Sequence, residues 1–191
     1  RKGITAGEGG ALAGDRIDLL DRARKLHTYG IAPALAREGQ ATLPVPTFDE
    51  AGHNYRLSDV QAGIMRAQLR RLPELLSARS RAAQGYAAGL GDLDSLILPV
   101  ALEDRTHPWQ SYVLTLDPAL DRGRVALALR ERGVGCNFGT YASHLQPVYR
   151  VGPEAACPVS AHLFDRHLAI PMHANLSDDD LNHVIDTVRA V

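Results

Sequence analysis

The sequence predicts an α/β chain whose second half holds a small, partly antiparallel sheet. Three observations point there. From Leu96 onward, short apolar and aromatic runs alternate with helical stripes. The joins between them are short and hairpin-like, as in a compact α/β layer. Before Leu96, residues 59–90 carry two successive helical patterns and no strand pattern.

The elements follow in order. Asp15 to Leu26 reads as a helix, with Asp15 placed to cap it and Ile17, Leu20, Ala23 and Leu26 as its apolar stripe. Tyr29-Gly30 ends it. Residues 31–53 hold three prolines and form a long connection, which in compact domains is often functional or disordered. Ser58-Asp59-Val60-Gln61 is a capping box, so a helix starts at Asp59. Val60, Ile64 and Ala67 form one apolar face of it, and Met65, Leu69, Leu72 and Leu76 another. Such a helix is expected to be buried on both sides, pinned between two subunits. Pro73 suits the first turn of a new helix running to about Leu90.

Leu96–Val100 and Trp109–Leu116 read as strands. Asp121 opens a helix closed by Gly133. Val134–Tyr141 reads as a third strand, 160–166 as a short helix and 167–171 as a short strand. Ser177-Asp178-Asp179-Asp180 starts the last helix, with acids matching its dipole. Leu181, Val184, Ile185 and Val188 are its stripe.

Composition narrows the function. The chain has 191 residues, 45% of them hydrophobic, enough for one good core or two small ones. Its net charge is −1 and it has no dense basic block, so the electrostatic footprint of nucleic-acid binding is missing. The charges from Arg66 to Arg81 alternate with leucines, as on the solvated side of a helix. Cys136 and Cys157 sit far apart, without zinc spacing, and no disulfide framework is expected. His53, His107, His162, His167, His173 and His183 show no ligand spacing, so no metal is expected. No signal-like or membrane-spanning run is present, which reads as cytoplasmic. The chain starts Arg1-Lys2 without an initiator methionine and reads as a piece of a longer protein.

The chemistry centres on Arg1-Lys2-Gly3-Ile4-Thr5-Ala6-Gly7-Glu8-Gly9-Gly10, followed by the apolar Ala11-Leu12-Ala13. The glycines permit positive φ and close backbone approach, so this is a loop turning sharply beside a site before a short strand. Their spacing fits neither G-x-G-x-x-G nor a P-loop. By position alone Lys2 is a solvated tail residue. On such a loop, however, a desolvated lysine can lose its proton and bond a carbonyl carbon. Asn54 and Arg56 offer N–H donors for an anion. They serve equally well to hold a loop against the following helix.

The Lys2–Ala11 segment resembles the one that begins at the Schiff-base lysine of the DegT/DnrJ/StrS family, pyridoxal-phosphate-dependent aminotransferases acting on nucleotide-linked keto sugars. The resemblance continues at Gly52-His53-Asn54-Tyr55-Arg56-Leu57-Ser58-Asp59, at Cys136-Asn137-Phe138-Gly139-Thr140-Tyr141, at His144-Leu145-Gln146-Pro147 and at Leu168-Ala169-Ile170-Pro171. It implies the C-terminal half of a fold-type I transferase. Residues 1–70 would be the tail of the large cofactor domain with a dimer-contact helix, and 71–191 a linking helix and the small domain. It implies that Lys2 holds pyridoxal 5'-phosphate and that Asn54 reaches a partner subunit's cofactor phosphate in a homodimer. Arg56 stays open between substrate and structure. Asn137, Tyr141 and His144 fall where the family approaches the sugar. The implied substrates are glutamate and a nucleotide sugar. The acid for the pyridine nitrogen and the aromatic over the ring are expected upstream of Arg1. The alternative is a catalytically incomplete fragment acting as a dimerisation or interaction module.

Overall fold

The computed structural model describes residues 2–31, 46–149 and 157–191, so most of the long connection expected over 31–53 lies outside the described residues. The chain divides into two compact units, Ile4–Arg70 and Arg71–Val191, the second grouped with Arg1–Gly3.

The first unit opens on the glycine loop. Ala11–Ala13 form no strand there and run exposed. Helix α1 (Ile17–Leu26) starts later than the sequence predicts. Asp15 does not cap it; Arg16 is the N-cap residue and has no side-chain cap bond. The first-turn acid is Asp18, which pairs with the Arg16 guanidinium at 2.6 Å. Past the helix, Tyr29 and Gly30 take positive φ of 61° and 77°. Gly30 N–H donates back to the Lys25 carbonyl at 3.0 Å. A Cβ on Gly30 would run into the Glu50 carbonyl, so this crossing admits only glycine. The returning chain then pairs with the helix end. His53 N–H donates to Leu26, Tyr29 N–H to His53 and Tyr55 N–H to His27. Lys25 Nζ lies 2.8 Å from Asp49 and 3.6 Å from Glu50. Their hydrogen bond holds the Lys25 ammonium above its ordinary pKa and the Asp49 carboxyl below its own.

Helix α2 (Asp59–Arg70) begins at the expected capping box: Ser58 Oγ accepts from Gln61 N–H, and Gln61 Oε1 accepts from Ser58. The predicted Val60, Ile64 and Ala67 face is exposed within this chain, and of the other face within α2 Met65 turns inward while Leu69 is exposed. Val60 is 75% exposed and Ile64 45%. The face turned inward is Gln61, Met65 and Gln68, spaced i, i+4, i+7. Its amides satisfy backbone that has no strand partner. Gln61 Nε2 donates to the Glu8 carbonyl at 3.0 Å. Gln68 accepts from Thr5 N–H at 2.8 Å and donates to the Thr5 carbonyl at 2.6 Å.

In the second unit, helix α3 (Leu72–Leu90) carries Pro73 in its first turn. The strands are β1 (Leu96–Ile97), β2 (Tyr112–Leu116), β3 (Asn137–Phe138) and β4 (His167–Ile170). They form one sheet of order β1-β2-β4-β3, and every pairing is antiparallel. The joins are not the short hairpins the sequence suggests: a long loop links β1 to β2, and helical segments lie between β2 and β3 and between β3 and β4. β1, β2 and β3 are shorter than the sequence predicts; β1 pairs with only Thr115 and Leu116 of β2, and β3 with only Leu168 and Ala169 of β4. Tyr112, Leu114 and Leu116 of β2 alternate inward and join Leu168 and Ile170 of β4 in the core. Each such buried side chain contributes about 1.5–3 kcal/mol.

Helices α4 (Arg122–Glu131), α5 (Pro158–Arg166) and α6 (Asp178–Arg189) complete the layer. Asp121 caps α4 by accepting from Arg124 N–H at 2.9 Å, and Ser177 and Asp180 form a reciprocal capping box on α6. α3 and α6 touch at two glycines. A Cβ on Gly85 would sit 2.5 Å from Leu181 Cδ2, and one on Gly89 2.8 Å from Ile185. Arg189 of α6 then spans to Asp92 at 2.6 Å and to the Gly89 carbonyl at 2.7 Å. That bond draws the Asp92 carboxyl from its ordinary 3.8 down to about 2. A depressed carboxyl pKa stabilises the fold above its unfolded value. This anchor is therefore expected to be intact at neutral pH and lost as pH falls from about 4 to about 2. Arg189→Gln should return the Asp92 titration to the usual carboxylate range, read by NMR; an unmoved midpoint would refute the pairing.

One charge departs from the sequence reading. Arg79 is not on a solvated face; it is 7% exposed and its Nη1 donates to the Trp109 carbonyl at 2.9 Å. Trp109 holds φ of 46°, a region few non-glycine residues adopt. The Arg79 bond satisfies that turned carbonyl. No described helix is long and apolar enough to cross a membrane.

Candidate functional site

The loop, α1, the returning segment and α2 enclose a cavity of about 690 Å³ within the Ile4–Arg70 unit. Glu8, Gly9, Gly10 and Leu12 line it from the loop; Leu20, Ala23, Arg24 and His27 from α1 and its end. Tyr55, Arg56, Leu57 and Gln61 close it. Gly7 and Gly9 take φ of 88° and 126°, which lets the loop turn there. A Cβ on Gly9 would sit 2.8 Å from Leu57 Cδ1, so the glycine also sets how near the loop lies to the wall. A half-apolar cavity of this size with a few converging polar groups suits a small ligand.

Asn54 and Arg56 are two residues apart in an extended stretch, so their side chains share a side. The structure brings them together. Asn54 Oδ1 accepts from Arg56 Nε at 3.2 Å, and Arg56 Nη2 donates to the Tyr29 hydroxyl at 3.3 Å. The guanidinium also lies 5.3 Å from the centre of the Tyr29 ring. His53 and Tyr55 stack at 4.7 Å. The pair braces this segment against Tyr29 rather than against the following helix, and it leaves N–H groups unengaged. With its oxygen taken by Arg56, the Asn54 amide presents its NH₂ group.

Lys2 is exposed and groups with Arg71–Val191, whereas Asn54 and Arg56 lie in Ile4–Arg70. Asn137, in β3, is exposed, and its Oδ1 accepts from Phe138 N–H at 2.8 Å. Tyr141 is exposed and meets Phe138 edge-on at 6.0 Å. His144 lies in the short 3₁₀ turn Ser143–Leu145. Its Nε2 is buried without a hydrogen-bond partner among the described residues. Sequence reasoning missed Tyr29, Arg24 and the two glutamines. The i, i+7 spacing of Gln61 and Gln68 was the available signal for the latter.

Residues 1–189 match the sequence profile of the DegT/DnrJ/EryC1/StrS aminotransferase family. The chain belongs to this family. The family is pyridoxal-phosphate-dependent. The spore coat polysaccharide biosynthesis protein SpsC of Bacillus subtilis (strain 168) is 29% identical over 201 residues, covering 100% of this chain and 51% of SpsC. The chain thus spans about half the length of the curated relatives it matches. The aminotransferase TlmJ from Streptoalloteichus hindustanus is 33% identical, with a TM-score of 0.75 over 91% of this chain and 44% of TlmJ. DesI, solved in the presence of its TDP-sugar product, is 27% identical, with a TM-score of 0.79 over 98% of this chain and 46% of DesI. The α/β fold read from the sequence is the fold of these DegT/DnrJ/EryC1/StrS structures.

Within Ile4–Arg70, the Asn54–Arg56 pair fits the anionic phosphate of the family's cofactor. Pyridoxal phosphate asks for an amine and for N–H donors to an anion. The Asn54–Arg56 pair offers N–H groups to such an anion once the Asn54 carbonyl oxygen is engaged by Arg56.

Proposed function

We propose that this chain is the C-terminal half of an aminotransferase that moves an amino group from glutamate to a nucleotide-linked keto sugar, for polysaccharide or glycoside biosynthesis. The observation that carries this reading is the Asn54–Arg56 donor pair beside the glycine loop, in a chain of this family. Residues 1–70 end the large domain, and 71–191 form the linking helix and small domain. Pyridoxal phosphate, when bound, supplies the electron sink for loss of the donor's α-proton. Lys2 Nζ holds the cofactor, takes that proton and returns it. Asn54 Nδ2 donates to the phosphate held by a second copy, and Arg56 takes an anionic part of the substrate. Asn137, Tyr141 and His144 contact the sugar, with His144 Nε2 as an unengaged buried atom. The exposed Val60 and Ile64 face of α2 supports a homodimer contact, since soluble proteins rarely leave such a face bare. A cytoplasmic location suits these substrates.

The test is amino transfer by the full-length protein. With pyridoxal phosphate and a panel of nucleotide-linked keto sugars, glutamate should yield 2-oxoglutarate in step with aminated sugar. Cofactor binding without transfer to any member of the panel would sink the substrate class; no cofactor binding would sink the whole reading.

A further inference from the structure

We propose that the cleft between α4 and the β3 edge binds a phosphorylated small molecule with a flat or apolar body. The cleft measures about 450 Å³. Arg122, Gly123, Ala126 and Arg130 line it from α4, and Asn137 and Phe138 from the edge. No carboxylate is among its lining residues, and neither arginine has an ion-pair partner among the described residues.

Both guanidinium groups are held in place by neutral partners. Arg122 Nη1 donates to the Phe164 carbonyl, and its guanidinium lies 4.5 Å from the Phe138 ring centre and 5.2 Å from that of Phe164. Arg130 Nη2 donates to the Cys136 carbonyl at 3.0 Å. Ring contacts and carbonyl bonds leave the charges uncancelled, and each fork keeps further N–H groups. Cations fixed beforehand lose less side-chain entropy on binding an anion. The first-turn amides of α4 are already capped by the Asp121 carboxylate, which accepts from Arg124 N–H at 2.9 Å, so the cleft's positive charge comes from the two guanidinium groups. Arg122 and Arg130 are eight residues apart, about 12 Å along the helix. Between them lie Ala126 and the Phe138 ring. A cleft cationic at both ends and apolar in the middle fits an organic phosphate better than a free ion.

The test uses phenyl phosphate and inorganic phosphate on the whole chain, by calorimetry, without pyridoxal phosphate or amino donor. Its outcome does not depend on amino transfer, although Asn137 is shared with the proposed sugar contacts. Phenyl phosphate should bind saturably and more tightly than inorganic phosphate. Arg122→Gln and Arg130→Gln should each weaken it at least about tenfold. Arg124→Gln, on α4 but outside the cleft lining, should leave it unchanged. Equal affinity for the two probes, no saturable binding, or arginine variants that bind as the parent does would each overturn the proposal. Should Arg122→Gln not fold, Arg130→Gln alone decides, since Arg130 is exposed.

Discussion

Tyr112→Ala is expected to destabilise the chain by about 3–5 kcal/mol, as large aromatic-to-alanine changes in a core do. Tyr112 has no exposed surface and packs at 4.9 Å from Tyr86 and 5.8 Å from Trp109. Its removal leaves a cavity that β2 cannot close, because both β1 and β4 hold that strand in register. Tyr112→Phe should behave oppositely. The hydroxyl is buried without a hydrogen-bond partner among the described residues, and burial pushes its pKa up to about 12. Removing an unsatisfied polar atom while keeping the ring is expected to be neutral or to stabilise by about 1 kcal/mol. Trp109 is the one tryptophan and stacks on this ring, so its fluorescence reports the denaturant midpoint directly. A Phe variant as unstable as the Ala variant would show that the hydroxyl, not the ring, stabilises the core.

Lys2→Ala is expected to lower amino transfer by the full-length protein by about 10²–10⁴-fold, the usual contribution of a positioned proton-transfer group. Lys2→Arg should fare no better, since a guanidinium does not give up its proton near neutral pH and cannot bond the cofactor's aldehyde. Folding should be untouched, because Lys2 is exposed in this chain. The denaturation midpoint should therefore stay with the parent while turnover and covalent cofactor retention fall together. A Lys2→Ala protein that turns over at the parental rate would remove Lys2 from the reaction and leave the fold assignment standing.

The capping residues were legible because their bonds close within three positions. Ser58 with Gln61, Asp121 with Arg124 and Ser177 with Asp180 each find their partner inside one helical turn. The Asn54–Arg56 contact was not read from the sequence, though its spacing allows it: an extended chain sets residues two apart on one side. Strand ends were not legible, because how many residues of β3 pair with β4 is set by contacts between segments far apart in sequence. Arg79 read as solvated because its neighbours in sequence are polar, while its burial is set by Trp109, thirty residues away. The Asp15 cap failed to a local rival, with Arg16 at the N-cap position and Asp18 in the first turn. The cavity beside Arg56 was invisible in outline, since its walls come from four separated stretches.

By itself the sequence determined which stretches coil, where most of them start, and which family motif surrounds the lysine. Those are matters of near-neighbour bonding and side-chain period. Only the tertiary structure decided which face of α2 turns inward, which arginine is buried and which stay unpaired in a cleft. Those outcomes depend on whether a polar group meets a distant carbonyl or is left to water, and no local pattern encodes that meeting.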